Sequence, residues 1–136
     1  MLFRSQAKVL KEGKDVCFIA LGSLMVNQSL KAAETLAASG ISAGVLDVLT
    51  LKPIDSAAII EQAGKVRAIV STENAQIAGG LGGAVAEVLA ENGCKCKFAR
   101  IGIRDEFGEV GTQDYLVDRF GLDVGSLVKK AKELLG

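Results

Sequence analysis

The sequence predicts an α/β domain in which helices cover both faces of a largely parallel sheet. Three observations predict it. Apolar, strand-like runs alternate with stretches of helical periodicity, the pattern of βαβ units. Three of the helical stretches stop at a glycine, Gly40, Gly64 and Gly93, a frequent helix ending. The 136 residues, 49% of them apolar, form one domain, residues 1–136, long enough to bury a real core.

The elements follow in order. Ala7 to Leu10 reads as a short first strand, ended by the turn-prone KEGKD. Val16 to Leu21, a continuous apolar run, reads as a buried central strand. Ser23 is a candidate N-cap for a helix over Leu24–Ser39, in which Val26, Leu30, Ala33 and Ala37 recur at helical spacing. Ser42–Val48 is the next strand. Asp55 can cap a short helix running through Ala63. Val66–Ser71 is the fourth strand, and Leu81–Asn92 a helix with Leu81, Val85, Val88 and Leu89 on one stripe. Lys97–Ile101 is the fifth strand. A helix over Gln113–Phe120 follows, then a last helix capped by Asp123 with Leu127, Ala131 and Leu134 on its apolar face. The first strand lies too close to the second for a helical crossover, so it pairs antiparallel or sits elsewhere at an edge.

Composition removes whole classes of function. Sixteen basic residues balance sixteen acidic ones, which gives no general attraction to nucleic acid or anionic membrane. No run has the ~18 apolar residues of a membrane span, and MLFRSQAKVLKEGKD lacks the apolar segment of a secretory signal. The expected location is the cytoplasm. There is no histidine, so no Ser-His or Cys-His nucleophile pair can be built. Of the three cysteines, Cys17 belongs to the apolar run VCFIAL and is expected in the core. Cys94 and Cys96 are too few for a metal site without histidine partners.

The segment STENAQIAGGLGGAVAEVL, Ser71–Leu89, places Gly79, Gly80, Gly82 and Gly83 between a strand and a helix. Such glycines can let a phosphate approach a helix N-terminus. Against that, GGLGG is not G-x-G-x-x-G, and it follows a late strand, not the first. The other reading is a tight turn plus a close approach of helix to sheet that a Cβ would obstruct, and the spacing favours it.

Four segments together resemble the C-terminal domain of transketolase and related thiamine diphosphate enzymes. They are the opening that runs from AKVLKEGKD to LKPID, TENAQIAGGLGGAVAEVL, the Asp-x-Phe-Gly loop in IGIRDEFGEVG, and YLVDRFGLDVGSLVKKAKELL. They cover about residues 6 to 135 in the family's order. The resemblance implies a three-layer α/β/α fold with a five-stranded mixed sheet, order 1-3-2-4-5, strand 1 antiparallel. It also implies what this chain lacks. The family's Gly-Asp-Gly motif for magnesium and cofactor phosphates is absent, and the length leaves no room for the pyrimidine-binding domain. No catalytic, cofactor-binding or metal residue is therefore assigned. Thiamine diphosphate and magnesium are expected in the parent enzyme and not on this chain alone.

The expected role is structural, as a homodimer or in association with the thiamine-binding domains or subunit of that parent, with regulation through a crevice a further option. Parents that make 1-deoxyxylulose phosphate or form 2-oxoacid dehydrogenase beta subunits stay open, although ENxxxxGGLGxxVAE leans to transketolase. In the implied sheet order the second and fourth strands are neighbours at a topological switch point. Gly22, Ser23, Glu73 and Asn74 would line it, with Gly79 and Gly80 beyond. The alternative function is an autonomous module that holds a small anion or nucleotide there. The local reading is that Glu73 or Asn74 satisfies loop amides. Phe107, an aromatic among charges, is a candidate interface anchor. Where the family usually has a histidine, this chain has Ala75.

Overall fold

The computed structural model of the chain describes residues 6–76, 79–104 and 111–136. The elements are β1 (Lys8–Lys11), β2 (Val16–Leu21), α1 (Ser23–Ala38), β3 (Ala43–Asp47), α2 (Ser56–Ala63), β4 (Ala68–Gln76), α3 (Leu81–Glu91), β5 (Lys97–Ile103), α4 (Gln113–Arg119) and α5 (Val124–Leu135). The sheet order is β1-β3-β2-β4-β5. β1 pairs antiparallel with β3, and the other pairs are parallel. Both options for the first strand hold at once: it is antiparallel and at the edge.

Alternation along the buried strands builds two cores. Val16, Phe18 and Ala20 of β2 join Val45, Val70, Leu36 and Leu127 under α1 and α5. Cys17 and Ile19 join Leu46, Ile69, Ile59 and Val85 under α2 and α3. A strand covered on both faces has no polar side to show, which is why β2 reads as an unbroken apolar run.

Local chemistry sets the ends. The Asp55 carboxylate accepts the Ala58 N–H at 3.1 Å, and its second oxygen accepts the Ala7 N–H at 2.8 Å, tying the entry to β1 onto α2. Asp123 caps α5 by accepting the Ser126 N–H at 3.2 Å. Thr112 caps α4 through the Tyr115 N–H at 3.2 Å, a cap the sequence reading did not name.

Ser23 does not cap α1. Gly22 occupies that position with φ 91, no side chain bonds the helix end, and Ser23 is the first helical residue. The chain passes from β2 to α1 within one residue, and a positive φ makes that possible. β4 extends to Gln76, beyond the expected end at Ser71. Its added residues begin with Thr72 and Glu73, both buried. Thr72 Oγ1 lies 3.1 Å from Ser29 Oγ of α1, so this polar stretch is held inside the fold.

Candidate functional site

The glycine-rich segment is organised by Glu73. This residue is 2% exposed, and its two carboxylate oxygens accept the N–H groups of Leu81 and Gly82, each at 2.8 Å. Those are the first amides of α3, the donors that a phosphate at this helix end would use. The position suited to an anion is filled by the protein's own carboxylate. A charged acceptor at a helix N-terminus also meets the positive end of the helix dipole.

The glycines have separate reasons. Gly79 has φ +72, a turn conformation that other residues rarely adopt. A Cβ on Gly82 would stand 2.6 Å from Arg100 Cδ and 3.0 Å from Ser71 Oγ. Helix α3 therefore approaches β4 and β5 closely at this one residue. Gly80 is the N-cap of α3, without a side-chain cap bond. A Cβ on Gly83 would meet nothing within 4 Å. Gly79, Gly80 and Gly83 line an open groove of about 560 Å³ between α3 and the loop that leads into α2.

The expected switch point is present in the topology, since β2 and β4 are neighbours and Leu21 pairs with Glu73. The side chains divide, however. Glu73 is committed to α3. Gly22 and Ser23 line a separate recess of about 290 Å³ with Val26, Asn27, Asp47 and Leu49. Asn74 and Ala75 are exposed. The structure therefore brings Ser23 to the end of β3 and does not join it to Glu73 in one site. Phe107 lies outside the described residues.

Cys17 is buried, and burial, aided by the charge of Glu12, pushes its thiol up to about 12. Cys96 is also raised, by burial first and by Cys94 second. Thiols so shifted are poor nucleophiles near neutrality. Among the described residues, no three or more His, Cys, Asp or Glu side chains are grouped to hold a metal ion.

The model of the family described as "Transketolase, C-terminal domain" matches residues 5–127. The chain belongs to this family. The transketolase C-terminal domain is 49% identical over 129 residues to the 6-deoxy-6-sulfo-D-fructose transketolase subunit of Clostridium sp. (strain MSTE9). It is 44% identical over 128 residues to a putative transketolase C-terminal section from Methanocaldococcus jannaschii. These matches cover 95% and 94% of this chain and 39% of each relative. A solved split gene transketolase, described as an inactive beta4 tetramer, superposes with TM-score 0.91 at 41% identity. That match covers 97% of this domain and 43% of the solved chain. The domain thus spans well under half the length of the proteins it matches. None of its described helices is long and apolar enough to cross a membrane.

Proposed function

We propose that this domain is the C-terminal part of a cytoplasmic transketolase-type enzyme, and that it supplies contacts within the assembly and not catalytic groups. In that assembly, thiamine diphosphate and magnesium are held by other domains, and the reaction moves a two-carbon ketol unit between sugar phosphates. The observation that carries the reading is the Glu73 carboxylate on the Leu81 and Gly82 amides. The one glycine-rich helix start in the sequence is closed to a diphosphate, which an anionic side chain would also repel. No Gly-Asp-Gly is present to take its place. Among the described residues, none are grouped to hold the magnesium, and no catalytic step is assigned to them.

The relatives point the same way, because two are described as a subunit and as a C-terminal section. The α2–α3 groove is a reasonable contact face. Gly79, Gly80, Gly83 and Ala84 leave backbone accessible there beside Leu51 and Ile54. A second copy of the chain, or the subunit that carries the cofactor, could bury them.

Isothermal titration with thiamine diphosphate, with and without magnesium, tests the proposal. No magnesium-dependent heat is expected from this chain alone. Magnesium-dependent, saturable binding to the isolated chain would sink it.

A further inference from the structure

The three cysteines of the chain lie against one core. Cys17 is buried within it, and Cys94 and Cys96 pack on its rim. Cys94 and Cys96 also line an open groove of about 600 Å³ beside the end of α2. Both are half-buried free thiols. Each is supported by the core and still borders solvent through the groove.

Local structure holds the pair at both ends. Asn92 ends α3, and Gly93 follows with φ +64. The Gly93 N–H donates to the Ala90 carbonyl at 3.4 Å, and the Cys94 N–H to the Leu89 carbonyl at 3.0 Å. These two bonds with a left-handed glycine are a Schellman ending, and they fix where Cys94 leaves the helix. The next anchor is Lys97, whose N–H donates to the Arg67 carbonyl at 2.9 Å where β5 begins. Cys96 stands immediately before it. The Cα atoms of residues two apart are at most about 7 Å from one another, at the edge of the roughly 4.4–6.8 Å that a disulfide spans. Neither cysteine belongs to a strand, so the fully extended separation is not imposed on them.

The groove beside them is basic. Arg67, Lys95 and Lys97 line it, and among the described residues no acidic one does. Arg67 Nη2 lies 3.5 Å from Asp15 Oδ1, a partly exposed pair that contributes little. Lys95 and Lys97 are exposed. A concave surface of one charge sign concentrates anions, here next to two thiols.

We propose that Cys94 and Cys96 form a reversible dithiol–disulfide site that exchanges with small anionic disulfides. One thiolate attacks a sulfur of the small disulfide. A mixed disulfide forms, and one small thiolate leaves and takes a proton from solvent. The other cysteine, once deprotonated, attacks the protein sulfur of the mixed disulfide. The Cys94–Cys96 bond forms and the second small thiolate leaves. The two protein thiols together lose two protons and two electrons, and the small disulfide becomes two thiols. Burial first and Cys94 second push the Cys96 thiol up, which slows its attack on a reagent in solution. The closing step is intramolecular, and proximity offsets that handicap. A ring closed across two residues is strained and borders solvent, the kind of disulfide that is readily reduced. The site therefore reopens. The proposal rests neither on the glycine loop nor on the assembly proposed above.

The test uses the full chain, reduced, freed of reductant and exposed to about 1 mM oxidised glutathione as the probe. Remaining thiols are then alkylated and the chain is cut with trypsin. Cleavage after Lys95 parts the two cysteines, so a disulfide between them joins residues 68–95 to Cys96 and Lys97. Mass spectrometry should find that link, with the intact chain lighter by about 2 Da and Cys17 alkylated only after unfolding. Reduced glutathione at about 5 mM should restore both thiols. Cys94→Ser and Cys96→Ser should each stop at the mixed disulfide. Lys95→Gln with Lys97→Gln should slow oxidised glutathione at least about threefold relative to cystamine, a cationic disulfide.

A mixed disulfide that persists on the unsubstituted chain, with no tryptic link, overturns the proposal, because the pair then does not close. Thiols that stay unreacted at about 10 mM oxidised glutathione overturn it as well. Closure as fast in about 8 M urea as in the native chain counts against it, since the fold then does nothing to bring the sulfurs together. A link that resists reduced glutathione contradicts reversibility. An unchanged rate ratio in the lysine variant overturns the assignment of anionic disulfides as the substrate.

Discussion

The Glu73 carboxylate holds the N–H of Leu81 at 2.8 Å, and with its other oxygen the N–H of Gly82 at the same distance. A buried residue of β4 therefore fixes where α3 begins. Replacing Glu73 with Ala leaves two buried donors without their charged acceptor and should cost about 3 kcal/mol. Glu73→Gln, which keeps one acceptor oxygen, should cost about half as much. Urea denaturation followed by circular dichroism reads both values. Equal and negligible losses would show that the helix start is not held by this contact.

Neighbouring glycines in the same helix should respond in opposite directions. Gly82→Ala drives a Cβ into the Arg100 stem and Ser71 Oγ, and overpacking of this kind costs about 1–2 kcal/mol. Arg100→Ala in the same chain should restore part of the loss. Gly83→Ala meets nothing within 4 Å, and a helical alanine should gain up to about 1 kcal/mol over glycine. Chemical denaturation of the three variants checks the order. A destabilised Gly83→Ala would show that α3 has a covered face there.

These contacts indicate how far the sequence could be read. Each strand and helix expected from periodicity is present, because strands covered on both faces and amphipathic helices write their surroundings into hydrophobic spacing. Asp55 and Asp123 were legible as caps, because a cap acts within its own turn of helix. Ser23 misled because Gly22 makes the turn alone. The end of β4 was hidden because Thr72 and Glu73 are polar and yet buried. Their partners Ser29 and Leu81 sit on other elements, and no local pattern encodes such pairings. The candidate crevice was half legible. Strand order put Ser23 and Glu73 at adjacent strand ends, but Glu73 turns to the first amides of α3 while Ser23 lines the recess beside Asp47.

Asp55 links two elements, so its loss should have two readouts. Asp55→Ala removes the α2 cap and the bond to Ala7, at a cost of about 1–2 kcal/mol. Amide hydrogen exchange should also accelerate in β1, an edge strand held otherwise by β3. Asp55→Asn should keep most of the cap. Unchanged exchange in β1 would mean that pairing with β3 alone secures it.

Cys17 gives a pH dependence with a definite sign. Burial raises its thiol from 9.0 to about 12. A group raised in the folded state contributes stability that is present below the unfolded value and lost as pH climbs toward the folded one. Stability should therefore fall from pH 9.0 toward about 12, and Cys17→Ala should reduce that slope. At pH 8, a thiol reagent should leave Cys17 unmodified until urea is added. Rapid labelling of Cys17 in the native protein, located by peptide mapping, would contradict its burial.

The most direct measurement of the central claim is reconstitution of ketol transfer. This chain is assayed alone, then mixed with the polypeptide that carries the family's Gly-Asp-Gly domain, with thiamine diphosphate and magnesium present throughout. The expected result is no turnover by this chain alone and turnover in the mixture, in a complex that contains both polypeptides by size-exclusion chromatography. Turnover by this chain alone, or an active Gly-Asp-Gly polypeptide that neither binds it nor gains rate from it, would contradict the claim.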